Sequence, residues 1–298
     1  MPDPTTAEGI VDLAARHGLR IEPESIRVDE AGLDFRVAFA RARDGQDWVL
    51  RMPRRPDVSE AIEKEAAILA TVRPHLSVSL PDWQVSAPDL IAYPLLPGRP
   101  GLTVDPSGEP VWHMDPQSPR YAAAFGALLA ELHRIPVLEA AAGGLPAQSP
   151  QETRAEWRGQ LDAVTAEFTV EASLERRWRT WIDDDGLWPT WSVCTHGELY
   201  PAHVLIDEHE RPTAVLDWTT AKVSDPGRDF AAHHMVAGDE SFALTVAEYE
   251  RAGGRTWPRL AEHCAELAAA GAIGYGIYAL TTGSAEHRDA AQQLLDPR

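Results

Sequence analysis

The chain has 298 residues, 44% of them hydrophobic and 24% charged, with a formal net charge of −19 at neutral pH. That much acid excludes a nucleic-acid binder, which needs a basic face to neutralise phosphates, while the apolar share suffices for a sizeable core. Only two cysteines occur, Cys194 and Cys264, too few for a disulfide framework or a four-thiolate zinc site, so a reducing cytoplasm is expected.

From the start of the chain, MPDPTTAEG has neither the cationic start nor the apolar run of a signal peptide. No apolar stretch is expected to approach the roughly 20 residues of a membrane span, and a cytoplasmic monomer without a membrane partner is expected. Thr5-x-x-Glu8 reads as a capping box, followed by a helix with Ile10, Leu13, Ala14 and His17 on one face and Gly18 as its stop. Phe35, Val37 and Phe39 then alternate with polar or small residues, and Asp44-Gly45 turns the chain into Trp48-Val-Leu-Arg-Met52, a β-hairpin pattern. Asp57-x-x-Glu60 opens a helix striped by Ile62, Ala66 and Leu69, and a strand over 90–96 ends at Pro97-Gly98. Beyond that point the pattern turns helical. Ser118-Pro119 starts a helix with Ala122, Phe125, Leu129 and Leu132 inward, closed by Ile135-Pro136. Helices over 151–168 and 173–183 follow, Asp225-Pro226 caps another, and Gly253-Gly254 breaks the last helical third. The expected fold is α+β and two-lobed: a small β-rich lobe over 1–96, joined through 96–102 to a larger, mainly helical lobe over 97–298. Lobes joined in this way bind ligand in the crevice between them.

Chemistry-bearing residues concentrate in THGELYPAH, residues 195–203. His196-x-Glu198 is half of a zinc-deaminase signature, but the required C-x-x-C is missing, and Pro201 disrupts any helix that would present His196 and His203 to one metal. Downstream, Val204-Leu-Ile206, a polar turn and Thr213-Ala-Val-Leu216 form a second hairpin. Folded about Glu210, it sets Val204 opposite Leu216 and His203 opposite Asp217, with facing Cα atoms about 4.5–5.5 Å apart. Glu198 enters the same end, so two carboxylates and an imidazole converge at one mouth. Kinase-type phosphoryl transfer uses such a set: a loop carboxylate for the substrate hydroxyl, a metal ligand five residues on, and an Asp after the next hairpin.

"HGELYPAHVLID" followed by "VLDWTTAKVSDPGRDFA" resembles the catalytic loop and metal Asp of the aminoglycoside-phosphotransferase superfamily, which shares the protein-kinase-like fold. Within it, the macrolide 2′-phosphotransferases are most similar, since they commonly carry His where other members have Asn. "GLDFRVAFA", "WVLRMPRRPDVS", "PDWQV", "LIAYPLL" and "YERAGGRTWPRLAEH" extend the likeness collinearly over nearly the whole chain. The resemblance implies transfer of the γ-phosphoryl of GTP or ATP to the 2′-hydroxyl of a macrolide antibiotic, giving resistance. It implies Glu198 as the catalytic carboxylate, and His203 with Asp217 as Mg²⁺ ligands.

The first lobe agrees with this reading. Ile62, Glu65, Ala66 and Leu69 share a helical face, so Glu65 is buried and needs a partner. Kinases pair this Glu with a third-strand cation, and Arg51 stands there in place of the superfamily's more usual Lys. Tyr93, Pro94 and Leu96 would form the nucleotide hinge, with the Pro94 carbonyl and the Leu96 amide meeting the base edge. No G-x-G-x-x-G is present, only Glu30-Ala31-Gly32. Asp229 resembles a loop-supporting family residue, His196 is assigned to ordering the loop backbone, and Tyr200, Met235, Phe242, Tyr275 and Tyr278 are candidates for an acceptor pocket. The family loop normally reads His-Gly-Asp, whereas this one reads His196-Gly197-Glu198. The added methylene leaves three alternatives: a shifted loop, which is favoured, a weakened enzyme, or a nucleotide binder without turnover.

Overall fold

A computed structural model describes residues 6–30, 34–105 and 107–297. Ala31 and Gly32 of the candidate phosphate loop, and Thr5 of the candidate capping box, lie outside those residues. The amino-terminal lobe comprises α1 (Ala7–Arg16), β1 (Arg27–Asp29), β2 (Phe35–Arg41), β3 (Asp47–Pro53), α2 (Pro56–Val72), β4 (Val85–Ala87) and β5 (Leu90–Pro94). Its five strands form one antiparallel sheet in the order β1-β2-β3-β5-β4. The expected hairpin is β2–β3, paired over seven residues from Phe35↔Pro53 to Arg41↔Asp47. Because strand side chains alternate between faces, Leu50 and Met52 pack with Ile10, Leu13 and Ala14 of α1. Val49 joins Phe35, Ile91 and Tyr93 against Val58 and Ile62 of α2 on the opposite face. Arg51, one pleat from Val49, therefore points to the α2 face.

The connection 96–102 is a structured bridge. β6 (Arg99–Pro100) pairs with β10 (Val204–Ile206), which in turn pairs with β11 (Pro212–Val215). β7 (Leu102–Val104) and β8 (Pro110–Trp112) form a separate hairpin, and β9 (Val193–Thr195) pairs with β12 (Lys222–Ser224). The helices of this lobe are α3 (Pro119–His133), α4 (Val137–Ala142), α5 (Pro150–Glu167), α6 (Ala172–Asp183), α7 (Gly227–Arg251), α8 (Leu260–Ala269), α9 (Gly271–Thr282) and α10 (Ala285–Leu295). One core gathers α3, α7 and the catalytic strands around Phe125, Leu129, Val204, Trp218 and Phe230. A second gathers α5, α6, α9 and α10 around Trp178, Trp181, Ile273 and Leu295.

Several boundaries correct the expectations from sequence. Thr6 caps α1, its hydroxyl accepting the Gly9 amide. Arg55 precedes α2 and makes no side-chain cap, so Asp57 sits inside the first turn, where its charge suits the helix dipole. Gly238 adopts φ 69° and kinks α7 within what reads as one continuous helix. α8 and α9 abut over Leu260–Thr282, 23 residues that include an 18-residue window of mean hydropathy 1.2, long and apolar enough by length and composition to cross a membrane. No such stretch was expected from the sequence. In the fold, Leu260 and Cys264 pack into the α3–α7 core, while Ile273 and Ala279 pack into the α5–α6 core.

Ser149 and Glu152 cap α5 reciprocally, side chain to backbone in both directions. Ser149→Ala is expected to lower stability by about 1 kcal/mol, read as a shift of the urea midpoint at unchanged m-value.

Candidate active site

The catalytic loop lies between β9 and β10. Its first half is fixed by one buried carboxylate: Asp229 Oδ2 accepts the His196 amide at 3.0 Å and Oδ1 accepts the Gly197 amide at 2.7 Å. Asp229 is fully buried, and His133 Nε2 of α3 donates to it at 3.1 Å while the Tyr249 hydroxyl meets His133 Nδ1 at 2.9 Å. Burial by itself would raise the Asp229 carboxyl, but the His133 and Gly197 hydrogen bonds outweigh it and hold the pKa below the ordinary value. His196 is fully buried too, its Nε2 on the Leu216 carbonyl at 2.9 Å and its ring edge-on to Trp218. Burial lowers its pKa against the pull of Asp229, which suits a neutral ring that ties the loop to the following hairpin. Gly197 has φ 89°, and a Cβ there would sit 2.7 Å from the Thr220 carbonyl, so only glycine fits this turn.

After the loop, the β10–β11 hairpin departs by one residue from the register expected from sequence. Val204 faces Val215, a bulge lies between Leu205 and Ile206, and the Leu216 amide bonds the His203 carbonyl at 2.9 Å. A one-residue slip normally turns a side chain to the opposite face. Asp217 escapes that outcome because its backbone is left-handed, at φ 58°, and its carboxylate returns to the cleft. The result is close to the expected meeting: His203 Nε2 lies 3.8 Å from Asp217 Oδ2. His203 Nδ1 bonds the Glu198 carbonyl at 2.9 Å, and Tyr200 packs edge-on against the ring at 4.4 Å. Burial would raise the Asp217 carboxyl, yet the Thr219 hydroxyl, His203 and Arg51 hold it below its usual value.

Arg51 and Glu65 form a buried ion pair at 3.2 Å, with the Arg51 guanidinium 4.0 Å above the Phe35 ring. Desolvation pushes the Glu65 carboxyl up, opposed by Arg51 and reinforced by Asp217.

These groups share one inter-lobe cavity of about 640 Å³, lined by Arg51, Tyr93, Leu96, Glu198, His203 and Asp217 among mostly apolar residues. Glu198 is exposed at its mouth. Partial desolvation raises its pKa, His203 opposes that shift, and Asp217 adds to it. At the hinge, Tyr93, Leu95 and Leu96 line the cavity while Pro94 does not; the Leu95 amide is engaged by the Asp47 carbonyl at 2.8 Å. Among the described residues no three His, Cys, Asp or Glu side chains form a metal cage. Glu198 therefore shares the cleft with the His203–Asp217 pair without completing a three-ligand set.

The acceptor candidates scatter. Tyr200 lines the cavity. Phe242 is a correction: it is 6% exposed in the α3–α7 core, against Phe230 and His234, because the Gly238 kink turns it inward. Met235 stands 66% exposed on α7. Tyr275 and Tyr278 cluster with His287 of α10. Lys222 pairs with Glu156 at 3.0 Å. Sequence reading missed His133, which bonds Asp229 96 residues away, and Thr219, which bonds Asp217 two residues before it.

Known proteins share this fold. The model of a phosphotransferase enzyme family (APH) matches residues 25–263. An uncharacterised protein, YcbJ, from Bacillus subtilis (strain 168) is 38% identical over 289 residues, covering 96% of this chain and 94% of that protein. The crystal structure of the apoenzyme of macrolide 2′-phosphotransferase MphH from Brachybacterium faecium is 52% identical, with a TM-score of 0.94 and 99% of each chain covered. A macrolide 2′-phosphotransferase type I is 42% identical, with a TM-score of 0.91 over 97% of this chain and 96% of that one. The family match covers most of this chain, both structures share its fold over nearly its whole length, and the chain belongs to the phosphotransferase enzyme family.

Proposed function

We propose that this protein transfers the γ-phosphoryl group of GTP or ATP to the 2′-hydroxyl of a macrolide antibiotic and so confers resistance. The observation that carries the reading is the convergence of Glu198, His203, Asp217 and the Glu65-braced Arg51 on one cavity, in a chain 52% identical to a macrolide 2′-phosphotransferase. Phosphoryl transfer asks the protein for positioning and charge neutralisation more than for covalent chemistry, and these residues supply both. Arg51 would hold donor phosphate oxygens through a fork suited to two acceptors at once. Tyr93, Leu95 and Leu96 would pack the purine, with the hinge backbone near its edge. Glu198 would accept or orient the acceptor hydroxyl; at the mouth, its longer side chain has room that a buried position would deny.

Magnesium fits the donor set. At 3.8 Å, His203 Nε2 and Asp217 Oδ2 are too far apart for a hydrogen bond. Mg²⁺ takes one or two carboxylates and completes its shell with phosphates and water, so Asp217 and His203 would hold it in the cleft. The ion would neutralise charge on the transferring phosphoryl group. We place the enzyme in the cytoplasm as a monomer; its two free, buried cysteines suit a reducing compartment.

Mass spectrometry after incubation with erythromycin or kanamycin, each with GTP or ATP and Mg²⁺, tests the reading. Phosphate on erythromycin is the expected result; phosphate on kanamycin alone overturns it. A pH profile adds a second check. Only the ionised Glu198 accepts a proton, and its pKa is raised from 4.5, so kcat/KM should fall as pH drops through a midpoint above 4.5. A limb at or below that value would remove Glu198 from the role.

A further inference from the structure

We infer that Thr219 is a positioning residue that commits one oxygen of Asp217 and thereby presents the other to the divalent ion. The inference rests on the proposed phosphotransferase reading and extends it to a residue outside the catalytic loop. Three features of the geometry lead to it.

Asp217 and Glu210 are the two non-glycine residues with positive φ among those described. At Glu210 the conformation is anchored at the hairpin tip, where the carboxylate accepts the Asp115 amide at 3.0 Å and the Ser118 hydroxyl. At Asp217 no such anchor lies across the fold. Its local tie is Thr219, whose hydroxyl donates to Oδ1 at 2.6 Å, with the Thr219 amide at a long 3.4 Å. An unfavourable backbone conformation held by a side-chain bond two residues on is a device for aiming a side chain.

The second oxygen is left uncommitted within the protein. Oδ2 faces His203 Nε2 at 3.8 Å. Because His203 Nδ1 lies 2.9 Å from the Glu198 carbonyl, which can only accept, Nδ1 carries the proton. In the neutral ring, Nε2 then presents a lone pair toward a carboxylate oxygen. Two acceptors facing each other in a cleft gain from a cation between them.

Without the Thr219 hydroxyl, the Asp217 carboxylate can rotate about its last torsion and offer either oxygen or both. Outer partners of metal-binding carboxylates commonly change metal affinity by about 10–100-fold when removed. Thr219 is exposed and absent from the buried cores, so replacing it removes the aiming bond without opening a cavity.

The test compares Thr219→Val, which keeps the shape and deletes the hydroxyl, with Thr219→Ser, which restores it. Mn²⁺ binding is measured by electron paramagnetic resonance with GDP and then with ADP present, alongside metal-free nucleotide binding by calorimetry and the thermal midpoint. The expected result is Mn²⁺ affinity weakened roughly 10-fold or more in Thr219→Val, with metal-free nucleotide affinity and midpoint unchanged, and recovery in Thr219→Ser. Unchanged Mn²⁺ affinity in Thr219→Val overturns the inference while leaving the enzymatic reading intact. Equal losses of metal-free nucleotide binding and metal binding also overturn it, since they mark a merely structural role. Wild-type protein that binds no Mn²⁺ with either nucleotide overturns both.

Discussion

Asp217→Asn is expected to lower kcat/KM by roughly 10³-fold, the scale on which a preorganised electrostatic group acts at a transition state. The substitution removes one charge and keeps almost everything else. Asn tolerates the left-handed conformation that Asp217 adopts at φ 58°, and its amide oxygen can still accept from Thr219. Alanine would be a worse probe, since it adds backbone strain to the loss of function. The thermal midpoint of the Asn variant should hold or fall slightly, because the neutral amide gives up the attractions of His203 and Arg51 that hold the Asp217 carboxyl below its usual value. Steady-state kinetics across an Mg²⁺ titration, with a melting curve of the same sample, measure both. A variant within a few-fold of wild type at saturating Mg²⁺ would exclude Asp217 from the reaction.

The second large effect concerns Arg51 and Glu65. Glu65→Gln leaves a guanidinium only 10% exposed facing a neutral amide, and breaking a buried pair from one side commonly costs about 3–5 kcal/mol. Arg51→Met behaves differently, because the remaining partner can neutralise itself. Desolvation already raises Glu65 above 4.5, and without Arg51 it rises further. A raised carboxyl binds its proton more tightly when folded than when unfolded. Stability of Arg51→Met should therefore be greatest below the unfolded pKa of 4.5 and decline as pH climbs through the folded value. Both single variants should lose catalysis. The double variant Arg51→Met/Glu65→Gln should recover most of the stability and none of the activity, which separates the pair's packing from its grip on phosphate. Urea unfolding at pH 5 and pH 8, with kcat/KM for the three variants, gives the cycle. If the double variant were as active as wild type, the pair would be structural only.

Much of the site was legible locally. The β2–β3 hairpin follows from strict alternation around Asp44-Gly45, and Glu65 reaches the buried face of α2 through its spacing to Ile62 and Leu69, both short-range periodicities. The β10–β11 register was not legible: Val204 pairs with Val215 and not Leu216, the pairing shifts again between Leu205 and Ile206, and no residue in the turn announces either change. Asp217 still meets His203 because its left-handed backbone compensates, a conformation tied by the Thr219 hydroxyl.

Acceptor-side residues show the same limit in another form. Phe242 is aromatic and near the loop in chain order, yet the kink at Gly238 sends it into the core. Asp229 carried a recognisable pattern in Asp225-Pro226-Gly227-Arg228, whereas His133 sits 96 residues from it and reads as an inward-facing helix position like many others.

By itself the sequence determined the two-lobed plan and which residues, Glu198, His203, Asp217, Arg51 and Glu65, meet at the groove, because these depend on periodicity and on an ordered motif along the chain. The aim of the Asp217 carboxylate rests on one left-handed residue and its bond to Thr219, which no local pattern announces; tertiary structure alone decided the hairpin register and the His133–Asp229 brace beneath the loop. Those features arise from contacts between separate segments of the chain, where a bulge redirects a side chain that local patterning places elsewhere.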